Sequence, residues 1–99
     1  MINVAGIEYA VSYVPGHEIN GLTGLVRHDD QIIEIAQDCS PDVQAETLLH
    51  EILHCVDVAT SSRERLSEEQ VHRISRCLFS VFRDEENWSM LECIQNGNK

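Results

Sequence analysis

Positive charge is what this sequence has least of. Its 99 residues carry 7 Lys and Arg against 17 Asp and Glu, a formal charge of −10. Nucleic acids and anionic membranes need a concentrated positive field, so neither is an expected partner, whereas a divalent cation or a basic partner suits the balance. Long hydrophobic runs are missing as well: no apolar stretch approaches the ~20 residues of a bilayer span. The opening "MINVAGIEYAVSYV" has no basic n-region, which predicts a soluble, cytoplasmic protein. The 4 cysteines form no C-x-x-C pair and no tight cluster, so a disulfide scaffold or a four-cysteine zinc site is not expected, and Cys39, Cys55, Cys77 and Cys93 read as reduced thiols. There is no Pro/Gly/Ser-rich or repetitive stretch, and only the closing "QNGNK" reads as a tail. With 42% apolar and 24% charged residues, the chain is composed like an ordinary globule. Its length suits a single domain, residues 1–99, too small for two lobes around a deep cleft. A site should therefore be shallow or completed by a partner.

The first third has strand character. "IEYAVSYV" (7–14) alternates and is rich in β-branched and aromatic residues, and "GLTGLV" (21–26) and "QIIEIA" (31–36) flank the polar connection "RHDD". These predict an antiparallel sheet of about three strands. The period then changes. Ser40 followed by Pro41 and Asp42 offers a capping oxygen, a proline at the first helical position and a carboxylate at the positive dipole end. The helix expected to follow runs to about Ala59, with Ala45, Leu48, Leu49, Ile52, Cys55, Val56 and Ala59 forming one stripe to lie on the sheet. "TSSRER" breaks it. Ser67 and Gln70 make a capping box for a second helix, about 68–84, with Val71, Ile74, Leu78, Val81 and Phe82 on its buried face. "NWSMLECIQ" closes the chain as one or two helical turns covering an edge of the core, with Trp88 as packing. The class is α+β, strands first and helices after.

The chemistry concentrates in "TLLHEILHCVD" (47–57). Helical positions i and i+4 stand one above the other, about 5–6 Å apart at Cβ, so His50 and His54 can reach one ion from the same face. At ~100° per residue both project nearly opposite Ala45, Ile52 and Val56. Glu51 leans to the flank, where a carboxylate can touch a metal-bound water without ligating, as the H-E-x-x-H arrangement requires.

Catalytic zinc takes three protein ligands and leaves a position for water. The metzincin pattern is excluded, because Asp57 and Thr60 stand where it has glycine and a third histidine. Glu68 and Glu69 are the candidates from the following helix. Glu68 falls at the margin of that helix's apolar face, able to turn toward the first helix, whereas Glu69 points away and merely suits a helix N-terminus. His72, i+4 from Glu68, is the competing third ligand or a group behind it. Asp57 stands on the histidine side, either to orient an imidazole or join the metal, or as a solvated helix-end charge. His17 and His28 read as surface residues in turns, and Tyr9 and Tyr13 as core or rim packing.

"ETLLHEILHCVD", preceded by a strand "QIIEIAQDCSPD" and followed by "LSEEQVHRISRCLFSVFRD", resembles the small phage and bacterial H-E-x-x-H proteins related to the ImmA/IrrE-type metallopeptidases. The resemblance covers residues 21–84 and implies a minimal zincin-like metallopeptidase domain of the gluzincin type. It further implies Zn²⁺ as cofactor, His50, His54 and Glu68 as metal ligands, and Glu51 as general base of a hydrolase that cuts a peptide bond. Larger relatives follow the ligand glutamate with a small residue and then asparagine or a similar polar group. Val71 and His72 occupy those places here, which leaves His72 open as the third ligand. The substrate expected on this resemblance is a protein or peptide, basic or regulatory. The other expectation is a non-catalytic binding or regulatory module stabilised by the metal.

Overall fold

The computed structural model describes residues 1–60 and 64–97. Residues 61–63 of the expected polar break and 98–99 of the expected tail lie outside the described residues. The chain is α+β: strands β1 (Ile2–Val4), β2 (Ile7–Val14), β3 (Gly24–Arg27) and β4 (Ile32–Ala36), then helices α1 (Pro41–Thr60), α2 (Glu68–Phe82) and α3 (Glu85–Gln95).

The expected three-stranded antiparallel sheet is corrected. The sheet has four strands in the order β1-β2-β4-β3 and is mixed: β1 and β3 run antiparallel to their neighbours, but β2 and β4 are parallel. The unforeseen β1 folds back on β2 through Ala5 and Gly6, at φ 52° and 86°, the two positive angles that a tight hairpin matching strand twist requires. Asn3 Oδ1 accepts the Gly6 N–H at 3.0 Å and closes that turn. Alanine there hides the signal that Asn-Gly or Asp-Gly would have sent. The parallel pair arises because β4 inserts between β2 and β3. Residues 15–23, with a 3₁₀ turn over Gly16–Ile19, must then step across two strand spacings of about 4.8 Å each. Ile19, 1% exposed, anchors that bridge in the core.

Ile33 and Ile35 of β4 face one way and meet Val4, Tyr9 and Cys55, with Leu48 and Ile52 of α1 packed against them. The apolar stripe expected on α1 is therefore split. Cys55 is buried and Leu48 and Ile52 half-buried, but Ala45, Val56 and Ala59 are exposed, and the buried positions include Thr47, Glu51 and Asp57. The helix rests on the sheet rotated away from the stripe's centre, with Thr47 and Glu51 packed close to Gly24 of β3 and Asp57 bonded into the α1–α2 connection. On α2 the buried face shrinks to Val71 and Ser75, leaving Ile74, Val81 and Phe82 exposed. The closing segment is also corrected: α3 has 11 residues, none buried, so it covers no core edge, and Trp88 is half exposed against the ring of Phe82. None of the four cysteines is joined in a disulfide. Among the described residues no helix is long and apolar enough to cross a membrane.

Candidate metal centre

Local sequence signals set the two helices that meet at the site. Ser40 Oγ accepts the Val43 N–H at 3.3 Å and starts α1, while Gln44 Nε2 donates to the Ala36 carbonyl at 3.1 Å and ties the helix to the end of β4. Ten residues into α1, the rings of His50 and His54 meet edge-on with centroids 5.0 Å apart. The return to α2 is held by Asp57, whose buried carboxylate accepts the Leu66 N–H at 3.1 Å. The capping box follows as expected: Gln70 N donates to Ser67 Oγ at 3.1 Å, and Ser67 N donates to Gln70 Oε1 at 2.8 Å. That turn puts Glu68 at the first helical position, next to the histidines.

His50 Nε2 lies 2.6 Å from Glu68 Oε1, the length of a charge-assisted hydrogen bond. His54 Nε2 is 3.2 Å from His50 Nε2 and 3.2 Å from Glu68 Oε2. Among the described residues these three are the group whose ligand atoms converge, all within 4.8 Å of one another. Donors held at 2.0–2.1 Å round a tetrahedral ion are roughly 3.4 Å apart. Two of the three separations already match, and the third would open by less than about 1 Å. Two imidazoles and a carboxylate are a donor set that could hold a divalent transition-metal ion, without being specific to one.

Glu51, beside the histidine face, is buried, 7% exposed, against the edge of β3, and lines the hollows that His50 and His54 also border. Burial pushes its carboxyl above the usual range; His54 and His50 pull it down and Glu68 pushes it up again, and the balance stays upward. Glu68 shows the opposite balance. Its partial burial pushes upward, but the hydrogen bond to His50 and the neighbouring His54 hold the carboxyl below its ordinary value. Two carboxylates within one cluster are thus driven apart in acidity, the pattern of groups with different tasks.

Gly24 makes this packing possible. A Cβ there would collide with Thr47 Cγ2 and lie 3.2 Å from the Glu34 carbonyl oxygen and 3.4 Å from Glu51 Cγ. Only glycine lets β3 approach α1 so closely, a use of strand glycine that the sequence does signal. The cluster opens into a cleft of about 310 Å³ bounded by Leu22, Gly24, Thr47 and Ser75. A second hollow of about 400 Å³ shares Leu22, Gly24, Glu51 and Glu68 and extends past His54 to Val26 and His28. Together they make a shallow groove along β3, which is an edge of the sheet.

The other sequence candidates fall as follows. His72 is exposed, its ring 6.1 Å from that of His50, and lines the cleft without joining the converging group. Glu69 reaches outward to Arg73 at 3.9 Å. Asp57 is buried and serves the α1–α2 connection rather than standing as a solvated helix-end charge. His17 is exposed; so is His28, but its ring meets Tyr9 edge-on at 6.4 Å and it borders the groove, a position no turn signal could reveal. Tyr9 is core, 3% exposed, and Tyr13 is 58% exposed. Comparison of the chain with protein-family models, curated proteins and solved structures finds no match.

Proposed function

We propose that this protein is a zinc-dependent metallopeptidase of the H-E-x-x-H type, acting in the cytoplasm on a protein or peptide substrate. The observation that carries the reading is the meeting of His50, His54 and Glu68 beside a buried Glu51 that is not part of the converging triad. His50, His54 and Glu68 would hold the ion. Zinc held there would make a coordinated water far more acidic and would polarise a carbonyl. Glu51, whose basicity is raised by burial, takes the proton of the attacking water and returns it to the leaving amine. The unpaired edge of β3 offers backbone groups along which an extended peptide can lie. The acidic surface of the chain favours a basic substrate.

Elemental analysis tests the coordination. Wild type purified without chelator should carry about one zinc per chain, His54→Ala and Glu68→Ala much less, and Glu69→Ala the wild-type amount. Metal retained in Glu68→Ala would transfer the third position to His72. Glu51→Gln should keep zinc and lose cleavage of a basic fluorogenic peptide. A second reading, a metal-stabilised binding module, is favoured by the shallowness of the groove; it prevails if Glu51→Gln preserves every cellular effect of the protein.

A further inference from the structure

On the side of α1 turned away from His50 and His54 the chain presents an open apolar groove of about 820 Å³. Leu49 and Ile52 form its floor and Phe82 and Trp88 its walls, with Arg83 and Glu85 at the rim. It continues into a smaller hollow of about 250 Å³ under Phe79. None of these residues lines the cleft of the histidine cluster.

Beside it, α3 adds Leu91 and Ile94, about half exposed. Isolated helices shorter than about 12–15 residues are marginal in water, and α3 has 11 residues and buries none. An apolar surface of this size, rimmed by charge, is the mark of a binding site rather than of an ordinary surface.

Charge selects the occupant. The helix α3 contains Glu85, Glu86 and Glu92 and no Lys or Arg, and Asp84 caps it. Among the described residues, Arg83 at the rim lies 3.7 Å from Asp42 and over the Phe79 ring, and Arg76 lies 3.7 Å from Glu46. A second copy would bring another −10 of charge to the contact, which self-repulsion opposes. We infer that the α1–α2–α3 groove docks a basic amphipathic helix of a partner protein, its apolar residues at i, i+3/i+4 and i+7 seated on Phe82 and Trp88 and its Lys or Arg residues facing the α3 glutamates.

Trp88 is the only tryptophan and reports directly on the groove. The probe is a Leu/Lys peptide of about 18 residues, long enough to be helical, with leucines at helical spacing. It should shift Trp88 emission to the blue and bind at least about tenfold tighter than a peptide of identical composition with the leucines spread round the helix. It should also outbind a Leu/Glu peptide of the same spacing, more so at low salt. Phe82→Ala, checked for folding by circular dichroism, should weaken binding by about tenfold or more. Glu51→Gln and His54→Ala should bind as wild type, so the docking and the peptidase reading can fail separately. Equal binding of the spread or the Leu/Glu peptide overturns the inference, as does unchanged binding by Phe82→Ala. A blue shift that grows with the chain's own concentration, without peptide, overturns it in favour of a second copy.

Discussion

The two sides of α1 are built on opposite plans. Toward β3 and α2, the helix buries polar groups, Thr47, Glu51 and Asp57, the first two in a contact so close that Gly24 is required opposite them. Toward α3, it meets apolar side chains that stay exposed, with Phe82 and Trp88 standing over a hollow. Asp57 offsets its burial by accepting the Leu66 N–H, and Glu51 lies in the field of His54 and His50, which pull its pKa down against the push of burial; a side built this way costs more than an apolar one. The lesson is that burial on this helix follows its close approach to β3 and the α1–α2 connection rather than hydrophobicity, and that apolar surface is left exposed on the other side.

Substitutions should separate the sides by size of effect. The largest is expected from Gly24→Ala, which forces β3 off α1 and should cost about 3 kcal/mol, the upper end for overpacking. Adding Thr47→Ala removes the colliding methyl and should restore part of it, as denaturant midpoints would reveal; no recovery would mean that the close approach is not what Gly24 serves. Next comes Asp57→Ala, which leaves the Leu66 N–H without its acceptor at a cost of about 2 kcal/mol. Because the Leu66–Ser67 turn places Glu68, zinc affinity should fall with stability, in contrast to a groove substitution of equal cost.

Glu51→Gln should act in the other direction. The raised pKa of buried Glu51 means that its contribution to stability is fully present below the ordinary carboxylate range and is lost as pH rises through the raised value. The metal-free variant should then gain on the order of 1 kcal/mol at pH 7, a few degrees in Tm, and the gain should vanish in acid. Glu68, held below its ordinary value, contributes with the opposite sign: its share is present above the ordinary carboxylate range and disappears as pH falls through the lowered value. The smallest effect belongs to α3, where Met90→Ser, at a position 58% exposed, should change the unfolding free energy by less than about 0.5 kcal/mol. A large loss there would show that α3 supports the core after all.

Much of the architecture was legible because it is local. β2 was readable to the residue from its alternation, and the Ser67–Gln70 box named the start of α2. The first strand was not, since three residues and an Ala-Gly turn carry little signal. Nor was the order of strands, because alternation reports which face a residue takes and not which neighbour it pairs with. The α1 stripe misled for a related reason: hydrophobic spacing locates an apolar face but does not say whether a sheet, a helix or nothing will cover it.

For the site, the sequence by itself determined that His50 and His54 rise from one helical face, since four residues at 3.6 per turn allow nothing else. It also determined that Glu68 begins the next helix. Tertiary structure alone decided that Glu68 rather than His72 meets the imidazoles, that Glu51 is shut between helix and strand, and that Gly24 is the wall behind it. Those outcomes depend on where the α1–α2 connection and the inserted β4 bring distant segments together, and no periodicity within a segment encodes a distance between segments.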